Sequence, residues 1–273
     1  MKASEGPGIA VIVSTYDRPD ALDAVLRSLA EQTYGRFEIV VADDGSGPDT
    51  RKLVARRAEE PGPRVRHVRQ EDRGYRLAAI RNRAAAATEQ PYLIFLDGDC
   101  LVRPDYVENH ARLAEAGRFV HGSRVRLEPG LSRIAIEQGP AIGRWSAARW
   151  LGEWLRGRVD RFTPLLRLPL GPLRQVSPRQ WRGVKGCNVA LWRSDFLAVN
   201  GFDEGFRGWG FEDNDLVVRL IRNGVRRKEG RYAVPVLHLW HESRPPDPAS
   251  RERFERRLRS DGIRAEPGLD RYL

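Results

Sequence analysis

Residues 9–29 read IAVIVSTYDRPDALDAVLRSL, and this stretch decides the fold class. Its first part, IAVIVS over 9–14, is a short apolar run rich in β-branched residues, which predicts a buried strand. Pro19 suits the first turn of a helix, and apolar residues follow at helical spacing over 22–29. The stretch therefore predicts a buried strand followed by an amphipathic helix.

The same alternation continues along the chain. FEIVVA over 37–42 and YLIFL over 92–96 are further candidate buried strands, and 49–60 and 75–88 read as helices. Strands that alternate with helices predict a mainly parallel, Rossmann-like central sheet flanked by helices, with right-handed crossovers. We expect one α/β domain over residues 1–273.

The positive charge is concentrated in one segment. The net charge is +10, but residues 1–140 carry 21 basic and 21 acidic side chains. Residues 141–183 carry nine Arg against one Asp and one Glu. A local excess argues against a general nucleic-acid-binding protein, so we expect no nucleic-acid partner.

Cysteine content and hydropathy predict a cytoplasmic protein. Two Cys provide no disulfide framework, which fits a reducing compartment. The apolar run near the N-terminus is too short for a signal peptide, and no apolar stretch reaches the roughly 18 residues of a spanning helix.

Polar residues follow three of the predicted strands, at 14–17, 43–46 and 97–99. Open α/β sheets bind ligands at the carboxyl ends of their strands. A single Asp-Gly there would be read as a turn, but three such strand ends in succession favour a binding site.

Two further patterns indicate a metal. Asp97-Gly98-Asp99 offers two carboxylates, the ligands that Mg²⁺ or Mn²⁺ takes together with substrate phosphates, although a simple turn is the alternative. The chain has no phosphate-binding glycine loop of the P-loop or dinucleotide type, so a metal is the expected phosphate clamp. His238 and His241 in VLHLWHE add imidazoles, and a mixed set fits Mn²⁺ better than Ca²⁺.

These motifs resemble those of a known family. VSTYDRPDALDAVLRSLAEQTYGRFEIVVADDGS, GYRLAAIRN and FLDGD are similar to the N-terminal half of family 2 glycosyltransferases, which have the GT-A fold. GCNVALWRSDFLAVNGFDEGFRGWGFEDNDLVVRL resembles a segment shared by β-1,4-galactosyltransferases and bacterial chondroitin-polymerase-type N-acetylgalactosaminyltransferases. The two resemblances cover roughly residues 8–125 and 183–245.

The resemblance implies an inverting, metal-dependent transferase. It would move a sugar of the Gal, GalNAc, Glc or GlcNAc type from a UDP-sugar to a hydroxyl of a glycan or lipid-linked saccharide, in the assembly of cell-surface polysaccharide or lipopolysaccharide. The domain would divide into a nucleotide-sugar-binding half (8–105), an acceptor and catalytic half (106–245) with an insert (141–183), and a tail (246–273).

The resemblance also implies roles for individual residues. Nucleotide-sugar binding falls on Ser14, Tyr16, Arg18, Asp44, Arg76, Asn82, Asp97, Gly98, Trp209 and Gly210. Asp99 and His241 would bind Mn²⁺ or Mg²⁺, with His238 where galactosyltransferases place a Met ligand.

The stretch GWGFEDND would then contain the catalytic group. Trp209 would be a platform for a sugar ring, Asp213 the general base and Glu212 a ligand for sugar hydroxyls. Acidic residues also favour helix starts, so a structural role is compatible with this one. Phe211 replaces the second Gly of the galactosyltransferase pattern, and we expect its side chain to reshape the pocket beside the sugar.

The insert over 141–183 predicts a membrane contact. Residues 147–155 place two Trp on the apolar face of a basic amphipathic helix, which suits an anionic membrane surface. The alternative is a helix packed on the core, such as a lid over the acceptor site. The tail over 251–259 reads as a solvated helix without chemistry.

Two other functions compete. A metal-dependent nucleotidyltransferase would also bind nucleotides at strand ends, but it gives no reason for the GWGFEDND stretch. A non-enzymatic basic protein that binds membranes or nucleic acid would use the Arg-rich insert, but it would not need acidic strand ends.

Overall fold

The computed structural model describes residues 6–242 and 245–273. A seven-stranded sheet and a three-stranded sheet form its centre. The strands are β1 (Ile9–Thr15), β2 (Phe37–Asp43), β3 (Arg64–Arg69), β4 (Tyr92–Asp97), β5 (Cys100–Val102), β6 (Arg118–His121), β7 (Arg124–Arg126), β8 (Asn188–Trp192), β9 (Arg226–Glu229) and β10 (Val236–His238). The helices are α1 (Pro19–Ala30), α2 (Pro48–Glu59), α3 (Leu77–Ala86), α4 (Tyr106–Leu113), α5 (Pro129–Gln138), α6 (Ala147–Leu155), α7 (Arg193–Ala198), α8 (Glu212–Arg222) and α9 (Pro248–Arg259).

The predicted α/β class with a mainly parallel sheet is confirmed. The large sheet has the order β3-β2-β1-β4-β8-β6-β9. Its first four strands are parallel, while β8 runs antiparallel to both of its neighbours. The small sheet has the order β5-β10-β7.

Alternation along β1 explains why the sheet has a helical layer on each face. Ile9, Val11 and Val13 pack with side chains of α1, whereas Ala10 and Ile12 pack with side chains of α3 and α8. Successive strand residues point to opposite faces, so an apolar run requires cover on both. All seven residues of β1 are buried.

The three predicted strands are confirmed to within one residue of their ends. The parallel register brings Thr15, Asp43 and Asp97 to the same edge of the sheet, because Thr15 pairs with Asp43 and Ser14 with Asp97. The polar strand ends of the sequence therefore meet in space, as the sheet architecture requires.

The first part of the insert, residues 141–165, is packed on the folded core, whereas residues 166–183 are mostly exposed. Helix α6 forms as predicted, and its Trp150 is 3% exposed. Ile142, Val159 and Leu165 are buried in the same apolar cluster as α1. Burial of each such side chain stabilises the fold by roughly 1.5–3 kcal/mol, so this part of the insert packs on the domain.

Strand β10, which ends at His238, is only three residues long. One expectation for the C-terminal third is corrected. The helix over 251–259 starts earlier, at Pro248, and it is not a solvated helix, since Phe254 is 3% exposed. Its apolar side packs against Phe206 and Val218.

No helix among residues 6–242 and 245–273 is long and apolar enough to cross a bilayer.

Candidate active site

The carboxyl ends of β1, β2 and β4 open into a cavity of about 1090 Å³. Small-molecule pockets occupy roughly 300–1,000 Å³, so this one has room for more than one ligand. The sequence-predicted residues in its wall are Ser14, Tyr16, Arg18, Asp44, Asp97, Gly98, Asp99, Trp209, His238 and His241. The structure thus brings together most of the candidates from both halves of the chain.

Asp44 is fixed at one end of this cavity. Its carboxylate accepts hydrogen bonds from the Gln70 side chain and from the backbone N–H of Arg76, the latter at 2.8 Å. Burial raises the pKa of Asp44 above its ordinary value. Tyr16, 51% exposed, leaves its ring open to solvent and donates its hydroxyl to Asp72 at 3.1 Å.

The structure gives Arg76 and Asn82 supporting positions instead of the predicted ligand contacts. The Arg76 guanidinium donates to the carbonyl oxygen of Glu71, and its backbone holds Asp44. Asn82 is fully buried and bonds the Phe202 N–H and C=O at 2.8 and 2.9 Å. It therefore joins α3 to the loop after α7 and has no group left for a nucleotide.

Arg81 is the residue at the centre of the site that sequence reasoning missed. Its Nε donates to Ser14 Oγ at 3.0 Å, and its Nη2 donates to Asp97 Oδ1 at 2.7 Å. Its Nη1 lies 3.6 Å from Glu212 Oε1. With 1% exposure, Arg81 is a buried cation that joins the nucleotide half to the start of α8.

A sequence signal for Arg81 exists. It lies three residues after Ala78 and four before Ala85, both of which are buried. Residues at these spacings share one face of a helix, so Arg81 stands on the core face of α3. A charged side chain at such a position needs a buried counter-charge.

The pKa of Glu212 is raised by its surroundings. Glu212 is 7% exposed, and burial together with neighbouring Asp213 raises its pKa to about 7, against the opposing effect of Arg81. Glu212 Oε2 has no hydrogen-bond partner within the part of the chain that the structure describes. A buried acceptor of this kind is costly unless a ligand completes it.

Asp213 is aimed by the backbone. Its Oδ2 accepts from the Gly186 N–H at 2.6 Å, and its Oδ1 accepts from the Asn214 N–H at 2.7 Å. A Cβ at position 186 would lie 2.9 Å from the Asp213 Cβ, so only glycine permits this approach. Asp97 and Tyr75 line the cavity, whereas Glu212 and Asp213 are not among the residues of its wall as the structure describes it.

Three side chains form a candidate metal site. His238 Nε2 lies 3.7 Å from Asp99 Oδ1, and His241 Nε2 lies 3.5 Å from Asp99 Oδ2. Burial lowers the pKa of His238, so its ring is neutral near pH 7, the form that ligates metals. One carboxylate and two imidazoles suit Mn²⁺, so the residues present fit a divalent cation.

Gly98 allows the two strand ends to touch. Its N–H donates to the Ser14 carbonyl at 2.7 Å, and a Cβ there would lie 2.8 Å from that same oxygen. Any side chain would push β1 and β4 apart between Asp97 and Asp99. Gly98 is therefore required by packing.

Trp209 is 45% exposed and lines the cavity, as a platform would. The expectation for Phe211 is wrong, because its ring turns away and stacks on Phe254 of α9, with centroids 5.2 Å apart. Its φ of +70° is the left-handed region, which costs a bulky residue about 1–3 kcal/mol. The stacking partner holds that conformation.

The insert supplies part of the opposite wall. Leu127 forms a bridge with Val159, and the Glu128 N–H donates to the Arg158 carbonyl at 2.9 Å. Residues 157–160 thereby line the cavity. This agrees with the alternative reading of the insert as a cover over the site.

Two models of known protein families match successive segments of this sequence. The family model described as glycosyl transferase family 2 matches residues 10–167, and the model described as the N-terminal domain of galactosyltransferase matches residues 176–242. The first spans more than half of the chain, and the second contains the GWGFEDND stretch.

Curated relatives are longer than this chain. Validoxylamine A glucosyltransferase of Streptomyces hygroscopicus subsp. jinggangensis is 37% identical over 235 residues, which cover 81% of this chain and 53% of the relative. Chondroitin synthase of Escherichia coli is 30% identical over 248 residues, 83% of this chain and 34% of the relative. The chain thus spans about half or less of the length of these relatives.

Solved structures confirm the fold. S. aureus TarS 1–349 in complex with UDP has a TM-score of 0.63 at 14% identity, covering 97% of this chain and 68% of that one. The mannosyltransferase PcManGT of Pyrobaculum calidifontis, in complex with GDP-Man and Mn²⁺, has a TM-score of 0.59 at 20% identity, covering 88% of this chain and 59% of that one. The architecture is that of GT-A glycosyltransferases. With the family model matched over residues 10–167, the chain belongs to glycosyl transferase family 2.

Proposed function

We propose that this domain is an inverting, metal-dependent transferase that moves a sugar from a UDP-sugar to a hydroxyl of a glycan or lipid-linked saccharide. One observation carries the proposal. The Asp99 carboxylate lies between two imidazoles in the same cavity that holds Asp44 at its other end. That the candidate cation ligands and the candidate base contact line one cavity supports the binding of one nucleotide-sugar across both.

The nucleoside would bind at the ends of β1 and β2. Asp44, held by Gln70 and by the Arg76 backbone, offers a fixed acceptor for the N–H of a base. Tyr16 and Arg18 line the same end of the cavity, beside Ser14. Asp97, fixed by Arg81 at 2.7 Å, is placed to accept from ribose hydroxyls.

Asp99, His238 and His241 would hold Mn²⁺ or Mg²⁺. When bound there, the cation supplies positive charge that stabilises the departing diphosphate. The neutral ring of His238 keeps a lone pair available for this purpose.

Asp213 would act as the general base. It removes the proton from an acceptor hydroxyl as that oxygen forms a bond to C1 of the donor sugar. The bond between C1 and the diphosphate oxygen breaks on the opposite face, which inverts the configuration at C1. Proton removal by a positioned base contributes about 100- to 10,000-fold to a rate.

Glu212 and Trp209 would place the sugars. Glu212 Oε2, which has no hydrogen-bond partner among residues 6–242 and 245–273, would accept a sugar hydroxyl, and Trp209 presents a half-exposed aromatic surface to the cavity. Glu212 is the second candidate for the base, since its pKa of about 7 suits proton transfer at neutral pH.

Names of similar proteins support the substrate class. They include a glucosyltransferase and a chondroitin synthase, so a Glc- or GalNAc-type donor and a role in polysaccharide assembly are consistent with this proposal.

The acceptor would be met at the cytoplasmic face of a membrane, where Trp154 and Leu155 of α6, 41% and 72% exposed, provide an apolar contact beside the Arg-rich segment. Failure of the protein to sediment with anionic liposomes at low salt would remove this membrane contact.

The test of the function is release of nucleoside diphosphate from a panel of UDP-, GDP- and dTDP-sugars, with Mn²⁺ and with EDTA. Slow donor hydrolysis requires no known acceptor. We expect release from one UDP-sugar with Mn²⁺ and none with EDTA. Equal release with Mn²⁺ and with EDTA would contradict the proposed metal dependence. The absence of both release and UDP binding would contradict the proposed function.

A further inference from the structure

Helix α9 contacts the loop that carries Trp209. The N–H of Asp247, the residue that caps α9, donates to the Trp209 carbonyl at 2.9 Å. Ser250 Oγ donates to the Gly208 carbonyl at 3.3 Å. The start of α9 therefore fixes the backbone on both sides of the Gly208–Trp209 peptide bond.

The next turn of α9 contacts Phe211, the residue directly before α8. Phe254 stacks on Phe211 at an interplanar angle of 12° with centroids 5.2 Å apart, and the Arg251 guanidinium lies 5.6 Å from the Phe211 ring. Phe211 takes a left-handed backbone conformation that glycine adopts freely and that bulky residues avoid. The Phe211 side chain packs against the cluster of Phe206, Val218 and Phe254, in which Phe254 of α9 supplies the stacked ring.

The last turns of α9 hold α8 by charge. Arg257 Nε donates to Asp215 Oδ1 at 2.7 Å, and its Nη2 lies 3.4 Å from Asp203 Oδ2. Asp215 is fully buried and is bonded by Arg219 at 2.7 Å as well. Arg257 thus joins the two ends of the 203–215 segment, and Glu212 and Asp213 lie inside it.

We propose that α9 is a positioning element for catalysis. Phe254 acts through Phe211, and Arg257 acts through Asp215, to fix the orientation of Trp209 and Asp213. No residue of α9 itself lines the cavity, so any effect of this helix on the site passes through the residues that it holds. The inference rests on the proposed function for its kinetic consequences, but its structural claim stands independently of any substrate.

A double-mutant cycle tests the pathway through Phe211. We expect F254L, which keeps apolar volume but removes the stacked ring, to lower kcat by about tenfold through misplacement of the catalytic segment. KM for the donor and UDP affinity with Mn²⁺ should be unchanged. F211G should lower kcat by a similar factor, and F254L added to F211G should cost nothing more.

The control is R256Q on the same helix, since Arg256 pairs only with Glu252 on the exposed side among the described residues. It should leave kcat unchanged. Multiplicative effects of F254L and F211G would overturn the pathway. A fall in kcat that merely follows loss of folded protein, measured by thermal unfolding, would do the same.

Hydrogen exchange gives a readout that needs no activity. F254L and F211G should each increase exchange at the amides of 208–215 and leave those of 9–15 unchanged. If no UDP-sugar is turned over but exchange rises as expected, the proposed function is wrong, whereas the proposed positioning role of α9 is supported. If exchange at 208–215 is unaltered in both variants, the inference is wrong whatever the enzyme does. F211G removes only a half-buried ring, so it keeps the test available should F254L fail to fold.

Discussion

The two walls of the cavity are built by different means. The donor wall consists of ends of long parallel strands, with β1 paired to β2 over seven residues and to β4 over six. The opposite wall consists of β7 and β10, three residues each, and of the loop over 157–160. Strand pairs of six and seven residues place the first wall, whereas three-residue strand pairs and the contacts of one loop place the second.

The candidate site residues are held in place by equally different means. Ser14, Asp44 and Asp97 take their positions from strands that are buried on both faces. Asp213 takes its position from one hydrogen bond to Gly186 and from the packing of α8. Arg81 joins Ser14 and Asp97 at the strand ends to Glu212 at the start of α8. We therefore expect the loss of Arg81 to affect both places.

The largest expected effect comes from Asp213, which lies on α8 and in neither wall. D213N should lower the rate of sugar transfer by about 100- to 10,000-fold, because the base is removed. UDP binding, which depends on the donor wall, should stay within about twofold, as measured by calorimetry. If D213N moved sugar at the parental rate, another group would have to be the base, and Glu212 would be the next candidate.

Loss of Arg81 should destabilise both the strand ends that it contacts and the start of α8. R81M leaves Asp97 and Glu212 without their buried cation, and breaking such a pair costs about 3–5 kcal/mol. Chemical denaturation should show this loss, with UDP binding and transfer both weakened. R83M is the matched control on the same helix, where the guanidinium lies over the Tyr272 ring, and it should cost about 1 kcal/mol or less.

Glu212 should make stability depend on pH. Its pKa is raised from 4.5 to about 7 in the folded protein, so the folded state holds this proton more tightly than the unfolded state does. The resulting penalty is absent below about pH 4.5, grows between pH 4.5 and 7, and is complete above pH 7 at about 3 kcal/mol.

E212Q should remove that penalty, so unfolding measured at pH 5 and pH 8 should differ less in the variant than in the parent. An unchanged pH dependence would show that Glu212 ionises normally. The pH–rate profile adds a second reading, because activity that rises through pH 7 in the parent and is lost in E212Q would make Glu212 the base.

The smallest effect should come from the surface of the opposite wall. Arg126 pairs with Asp160 at 3.2 Å, but its side chain is 60% exposed. Exposed pairs contribute about 0–1 kcal/mol, so R126Q should shift the unfolding midpoint only slightly. A large shift would mean that ion pairs, not the Leu127–Val159 backbone contacts, hold the insert in place.

The sequence predicts the donor wall well because it is local. IAVIVS, FEIVVA and YLIFL each form one strand, and parallel register is enough to bring their polar ends together. The Asp-Gly-Asp and His pairs could be found for the same reason, since each motif is short and stands at a strand end.

The rest depends on contacts between distant residues. Arg81 meets Glu212 across 131 positions, and Phe211 meets Phe254 only after α9 folds back. Asn82 is a polar residue in a helix beside Arg81, and nothing in its spacing distinguishes a ligand contact from the buried bonds it makes to Phe202. The turn of Phe211 away from the cavity likewise follows from a partner 43 residues later, which no local pattern contains.

The most direct test of the proposed site is UDP binding by calorimetry, with Mn²⁺ and with EDTA, for the parent, D99A and D213N. The proposed arrangement of donor wall, cation site and base predicts Mn²⁺-dependent binding in the parent and in D213N, and loss of the Mn²⁺ effect in D99A. UDP affinity that is equal in EDTA and Mn²⁺, or retained Mn²⁺ dependence in D99A, would contradict it.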